Sequence, residues 1–138
     1  MKLLASRRKS IKYPVKMNFG CGYDKRVGFL NVDIEPQCDP DLLISPGDFS
    51  ALPKSYFVEL IANDVLEHVP RNDTLKTFFE LVRTCEIGAT VKIQTTSLEK
   101  LLVKLSSKED FAEQYSWATC LFGNQANNGD FHFTGFTD

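Results

Sequence analysis

The apolar positions come first as short runs and then as wider stripes. Val15 to Phe19 is one short run, and Phe29 to Asp33 is a second. Asp41 to Ile44 is a third, held between Pro40 and Pro46. Phe57 to Ala62 is almost continuous, as expected of a strand buried on both faces of a parallel sheet. The period then changes. Leu75, Phe78, Phe79 and Val82 recur at the spacing of one helix face, and the spacing predicts that this face meets the core. Asn72 is a suitable N-cap, with Asp73 favourable in the first turn. Gly88 breaks the helical pattern, and Ala89 to Thr95 reads as a fifth strand, with Val91 and Ile93 alternating against Lys92 and Gln94. Thr96 and Glu99 have capping-box spacing ahead of a stripe of Leu98, Leu101, Leu102 and Leu105. A further helix is expected after Ser107, with Phe111, Tyr115, Ala118 and Phe122 on one face. From Gly123 to Asp138 the chain is rich in Gly, Asn, Phe and Thr and reads as loop. Strands alternating with helices predict an α/β fold around a mainly parallel sheet.

Composition changes this picture little. The chain has 138 residues, 43% hydrophobic and 25% charged, which fits one globular domain with a core of its own. The net charge of -2 gives the domain no electrostatic footprint for nucleic acid. The start of the chain departs from this balance. Lys2, Arg7, Arg8, Lys9, Lys12 and Lys16 come with no acid among them. Residues 1–14 therefore read as a basic arm, a solvated tail or one that touches anionic lipid or polymer, ahead of a domain over 15–138. Met-Lys-Leu-Leu-Ala-Ser is followed at once by Arg-Arg-Lys, so no secretory signal is expected, and no run has the length of a membrane span. Cys21, Cys38, Cys85 and Cys120 form no Cys-X-X-Cys pair. Neither a metal site nor a disulfide framework is indicated, and reduced thiols fit a cytoplasmic protein.

The candidate chemistry lies where strands end. Gly20 and Gly22 follow the first strand, and glycines there let a ligand approach the backbone. A dinucleotide fingerprint needs a third Gly where this chain has Lys25. Between Gly22 and Phe29 there is also no room for the helix whose N-terminus would hold a pyrophosphate. The stretch therefore argues against NAD or ATP. Asp33 ends the second strand, where a carboxylate can accept two hydrogen bonds from a ribose diol or simply cap the turn before Pro36. Asp48, in Gly47-Asp48-Phe49, could accept from an adenine amino group while Phe49 covers the ring; the plainer reading is an Asx-turn. The polar cluster Asn63-Asp64-Val65-Leu66-Glu67-His68 follows the apolar strand directly and belongs to the same ligand face.

In their order, the segments MNFGCG (17–22), GFLNVDIE (28–35), GDFSALP (47–53), NDVLEHVP (63–70) and FGNQANNGDFHFTGF (122–136) resemble the class I S-adenosylmethionine (SAM) methyltransferases. They look most like a small subgroup of predicted SAM-dependent methyltransferases often associated with surface-glycan biosynthesis. The resemblance spans nearly all of the chain after the basic arm. It implies a Rossmann-like sheet of about five strands in the order 3-2-1-4-5, with the first crossover helix abbreviated. It implies that Phe19, Gly20, Cys21 and Gly22 line the methionyl part of SAM, that Asp33 holds the ribose hydroxyls and that Ile34 packs on the adenine. Asp48 and the backbone of Phe49 would read the adenine edge, and Asn63 and Asp64 would lie near the methionyl group and the sulfonium. A cationic sulfonium favours carboxylates nearby, and Asp33, Asp48, Asp64 and Glu67 are available on the ligand face.

The implied reaction is methyl transfer to a small hydroxylated acceptor, such as a sugar, with a base to remove the hydroxyl proton. Of the two histidines, His132 is the candidate base, with Asp130 as its orienter, and His68 is assigned to structure. Two departures from the family pattern bear on this. Glu86-Ile87-Gly88-Ala89 stands where relatives have Pro-Gly-Gly before the fifth strand, and the family's later antiparallel strands have no counterpart before Asp138. The fifth strand is then expected to be an open sheet edge: either the domain is truncated here as a fragment, or a second copy or a partner chain completes the sheet. An inactive SAM-binding module and another nucleotide-binding α/β protein remain as alternatives.

Overall fold

The structure, a computed structural model, describes residues 13–126 and 129–137. The arm expected over 1–14 thus lies outside the described residues, apart from Tyr13 and Pro14. Five strands form one sheet: β1 (Lys16–Phe19), β2 (Leu30–Asp33), β3 (Leu42–Leu43), β4 (Phe57–Asn63) and β5 (Cys85–Gln94). The order is β3-β2-β1-β4-β5, and every pair is parallel. Among the described residues three α-helices accompany it: α1 (Arg71–Thr84), α2 (Leu98–Ser106) and α3 (Phe111–Phe122). This is the expected Rossmann-like α/β topology.

Burial explains the strands. Met17, Val32, Phe57 and Leu60 are sealed in the core, with Phe19 and Phe49 stacked at 5.8 Å near its upper end. The crossover from β1 to β2 contains no helix, as the short spacing predicts. A polar network holds it instead. Asn18 Nδ2 donates to the carbonyl of Asp24 (2.8 Å) and to Asn31 Oδ1 (3.1 Å). The same Asn31 oxygen accepts the Arg26 N–H at 2.8 Å, while Asn31 Nδ2 donates to Asp41 Oδ2 at 2.7 Å. Buried amides that would otherwise lack partners are satisfied, and the loop is fixed against both strands.

The helices depart from expectation. α1 starts at Arg71 with Pro70 in the N-cap position, so Asn72 lies within the first turn and caps nothing. Its buried residues are Thr77, Leu81 and Thr84, whereas Leu75 is 70% and Phe79 64% exposed. The apolar stripe therefore faces outward. The reason is that polar ties fix the helix's rotation. The Ser55 N–H donates to the Arg83 carbonyl and the Tyr56 N–H to that of Thr84, and the Arg83 guanidinium reaches the Phe49 carbonyl at 3.2 Å. The cap of α2 is Ser97, whose Oγ accepts the Lys100 N–H at 3.4 Å, rather than Thr96. Only Leu101 of the leucine stripe is fully buried. α3 is capped by Asp110 and buries none of its residues completely; Phe111, Tyr115 and Phe122 are exposed.

β5 begins earlier than expected and is irregular. Phe57 pairs with Cys85 and Glu59 with Thr90, so the stretch Glu86–Ala89 bulges away from β4. Gly88, at φ +86°, sits in this bulge, and Ile87 is fully exposed. The regular ladder runs from Thr90 to Gln94, close to the strand the sequence predicts.

Candidate functional site

A cavity of about 540 Å³ opens at the carboxyl ends of β1, β2 and β4. This is where open α/β sheets bind ligands, and the volume falls in the range of small-molecule sites. Its floor is the turn after β1. Gly20 has φ +65°, and a Cβ placed on it would stand 2.3 Å from Val65 Cγ2, so nothing larger fits beneath the loop that follows β4. Gly22 has φ +48° and open space where a side chain would be. Its N–H donates to Asp33 Oδ2 at 2.7 Å. The other oxygen, Oδ1, accepts the N–H groups of Ile34 (2.8 Å) and Glu35 (2.9 Å). Asp33 thus fixes the two strand ends against each other and keeps one further acceptor position on Oδ2.

The far wall is the segment after α3. Its backbone is stitched to the 3₁₀ turn Leu66–His68 after β4: the Glu67 carbonyl accepts from Phe133 N (2.7 Å) and Thr134 N (3.2 Å), and Thr134 Oγ1 donates to the Val69 carbonyl (3.0 Å). Gly123 starts this segment. A Cβ there would lie 1.7 Å from the Asp130 carbonyl oxygen, so the tight return of the chain requires glycine. Gly129 and Asp130 face the cavity.

Of the residues singled out from sequence, Phe19, Gly20, Gly22, Asp33, Ile34, Phe49, Asp64 and Asp130 line the cavity. Cys21, Asp48, Asn63 and His132 do not. Cys21 is buried beneath the turn; burial, then the charge of Asp33, pushes its thiol up to about 11. Asp48 makes the Asx-turn, its Oδ1 accepting the Ser50 N–H at 2.9 Å; the Ser50 side chain first and this backbone bond second lower its pKa. Asn63 ends β4 beside the cavity. Glu67 turns inward: it is 3% exposed, Oε1 accepts the Thr96 N–H at 3.5 Å, and Oε2 has no hydrogen-bond partner among the described residues.

Other acids do line the cavity. Glu35, on the turn after β2, and Asp73, on the first turn of α1, join Asp33, Asp64 and Asp130; among the described residues Lys76 is the one Lys or Arg that lines it. Asp73, Lys76 and Thr77 follow one helix face, and a reading of α1 by its polar side would have found them. His68, assigned to structure from sequence, also lines the cavity. No group of three or more His, Cys, Asp or Glu among the described residues is placed to hold a metal ion. No helix among them is long and apolar enough to cross a membrane.

No known protein family, curated protein or solved structure matches this chain. The functional reading therefore rests on the cavity and on the resemblance of its motifs.

Proposed function

We propose that the cavity binds SAM and that the protein transfers the methyl group to a small hydroxylated acceptor, such as a sugar. One observation carries this reading. The Gly20–Gly22 turn, tied to Asp33 at 2.7 Å, opens on a cavity that the described residues line with five carboxylates and one lysine. A nucleoside needs the close backbone approach and the ribose acceptor. A sulfonium cation suits the acidic lining, which a polyphosphate would not. The crossover after β1 also lacks the helix N-terminus on which pyrophosphate sites rely.

In this reading Gly20 and Gly22 admit the methionyl part, and Asp64 faces its cationic end. Asp33 accepts from the ribose, Ile34 packs on the adenine, and Phe49 covers it from the core side. Bound there, SAM supplies an electrophilic methyl group and departs as a neutral thioether. The chain's own tasks are to align the acceptor and to take up its proton.

Thermal melting tests the reading. S-adenosylhomocysteine at a hundredfold excess over its Kd should stabilise the protein by about 2.7 kcal/mol. Asp33→Ala should abolish most of that shift. A shift with NAD and none with S-adenosylhomocysteine would sink the proposal in favour of a dinucleotide-binding protein.

A second reading has its own support. The outward stripe of Leu75, Phe78, Phe79 and Val82 is apolar surface of the kind that partners cover. It fits a SAM-binding module that works through a second copy or another chain. Methyl transfer by the isolated chain would exclude a module without turnover.

A further inference from the structure

Two histidines meet at the far wall of the cavity, in places that are not equivalent. His68 lines the cavity. His132 stands behind it, packed edge-on against the His68 ring with centroids 4.6 Å apart. Each ring places Nδ1 against a backbone carbonyl: His68 to Phe131 at 3.2 Å, His132 to Cys120 at 3.0 Å. A carbonyl can only accept, so Nδ1 carries the proton in both neutral rings and Nε2 holds the lone pair. That is the tautomer a base requires.

His68 also sits on the firmer support. It closes a 3₁₀ turn whose neighbours, Glu67 and Val69, are both bonded to the segment Phe133–Thr134. Charged groups that line the same cavity come from three sides: Asp64 precedes His68 on the loop after β4, Asp73 and Lys76 are on α1, and Asp130 is on the last segment. The carboxylates among them offer a counter-charge to an imidazolium formed during reaction.

We infer that His68 is the catalytic residue that takes the acceptor's proton, and that His132 is a positioning residue that holds its ring. This rests on the reading of the cavity as a SAM site. The acceptor oxygen bonds to the methyl carbon, and the electron pair of the carbon–sulfur bond stays on sulfur. The hydroxyl proton passes to His68 Nε2 and then to solvent, so atoms and charge balance.

With two histidines in the chain, their imidazole signals can be followed separately by NMR. The full chain is saturated with S-adenosylhomocysteine and then with SAM, which differs by the methyl group and its positive charge. The exchange should shift the His68 signals more than those of His132. A larger shift at His132, or none at either ring while both ligands bind, overturns the inference. Failure of both ligands to bind removes the SAM reading itself. Once a hydroxyl acceptor is in hand, His68→Gln should slow transfer about 100-fold or more and leave the melting shift with S-adenosylhomocysteine in place. His132→Ala should slow transfer several-fold, and His132→Phe, which restores a ring against His68, should recover most of that loss. A loss in His132→Phe equal to that in His68→Gln would move the proton-accepting role to His132.

Discussion

Leu81 and Leu75 stand on the same helix and share almost nothing else. Leu81 is sealed in the core, while Leu75 points to solvent with Phe79 and Val82. By apolar content the outward face should have been the buried one. Thr77 and Thr84 are buried in its place, and Thr84 satisfies its hydroxyl by donating to the Leu81 carbonyl at 2.6 Å. The rotation of α1 is set by hydrogen bonds at its C-terminal end. Hydrophobicity alone does not choose the face when backbone ties of that kind are in place.

The largest effect should separate these two faces. Leu81→Ala should cost about 2–5 kcal/mol of stability, as truncation of a sealed leucine does. Leu75→Ala should stay within about 0.5 kcal/mol. Urea unfolding of both variants checks this, and equal losses would mean that the outer face is covered in solution.

A smaller effect distinguishes the two glycines of the turn. Gly20→Ala meets both a left-handed backbone, costing about 1–2 kcal/mol, and the Val65 side chain. Gly22→Ala meets the backbone cost alone, because its Cβ would enter open space. The first variant should therefore lose more stability. The second should keep the fold and lose ligand, since its new methyl group stands on the cavity floor. Melting with and without S-adenosylhomocysteine reads both at once.

The smallest effects come from pH, and they differ between surface and core. Asp39, hydrogen-bonded to Lys25, Asp48, bonded to Ser50, and Glu59, bonded to Lys16 and Lys92, are all held below the ordinary carboxylate values. Their stabilisation is present above those values and is lost as pH falls through the lowered ones. Cys21 works in the opposite sense. Its thiol is raised from 9.0 to about 11, so the contribution is complete below 9.0 and disappears as pH rises toward 11. Added salt should shrink the acid-side change in melting temperature and leave the alkaline one. The same salt sensitivity on both limbs would contradict the assignment of Cys21 to the core.

The strands were legible because each is a short apolar run with nothing competing for it. The same holds for the glycine turn, Asp33 and Asp64, which sit at strand ends where the fold class puts ligands. What the sequence hid depends on partners distant along the chain. Asn18, Asn31 and Asp41 are unremarkable singly, and their network exists only once β1 and β2 are side by side. Asp73, Lys76 and the position of His68 depend on the rotation of α1 and on a segment more than sixty residues downstream, to which His68 is bonded across a separation of 63. The helix starts moved by one or two positions: Pro70 holds the N-cap position of α1 without a side-chain cap bond, and Ser97 caps α2 in place of its neighbour Thr96.

The bulge in β5 has a bearing on how this protein behaves at high concentration. A sheet whose last strand is straight and apolar invites another chain to add to it, and that addition can repeat without end. Here one edge is the two-residue β3, and the other is broken at Glu86–Ala89 and carries Lys92 in its regular part. Neither offers a long template for growth. Ile87 and Val91 are exposed along this edge, and a bulged strand that carries a lysine beside them is a poor start for a fibre.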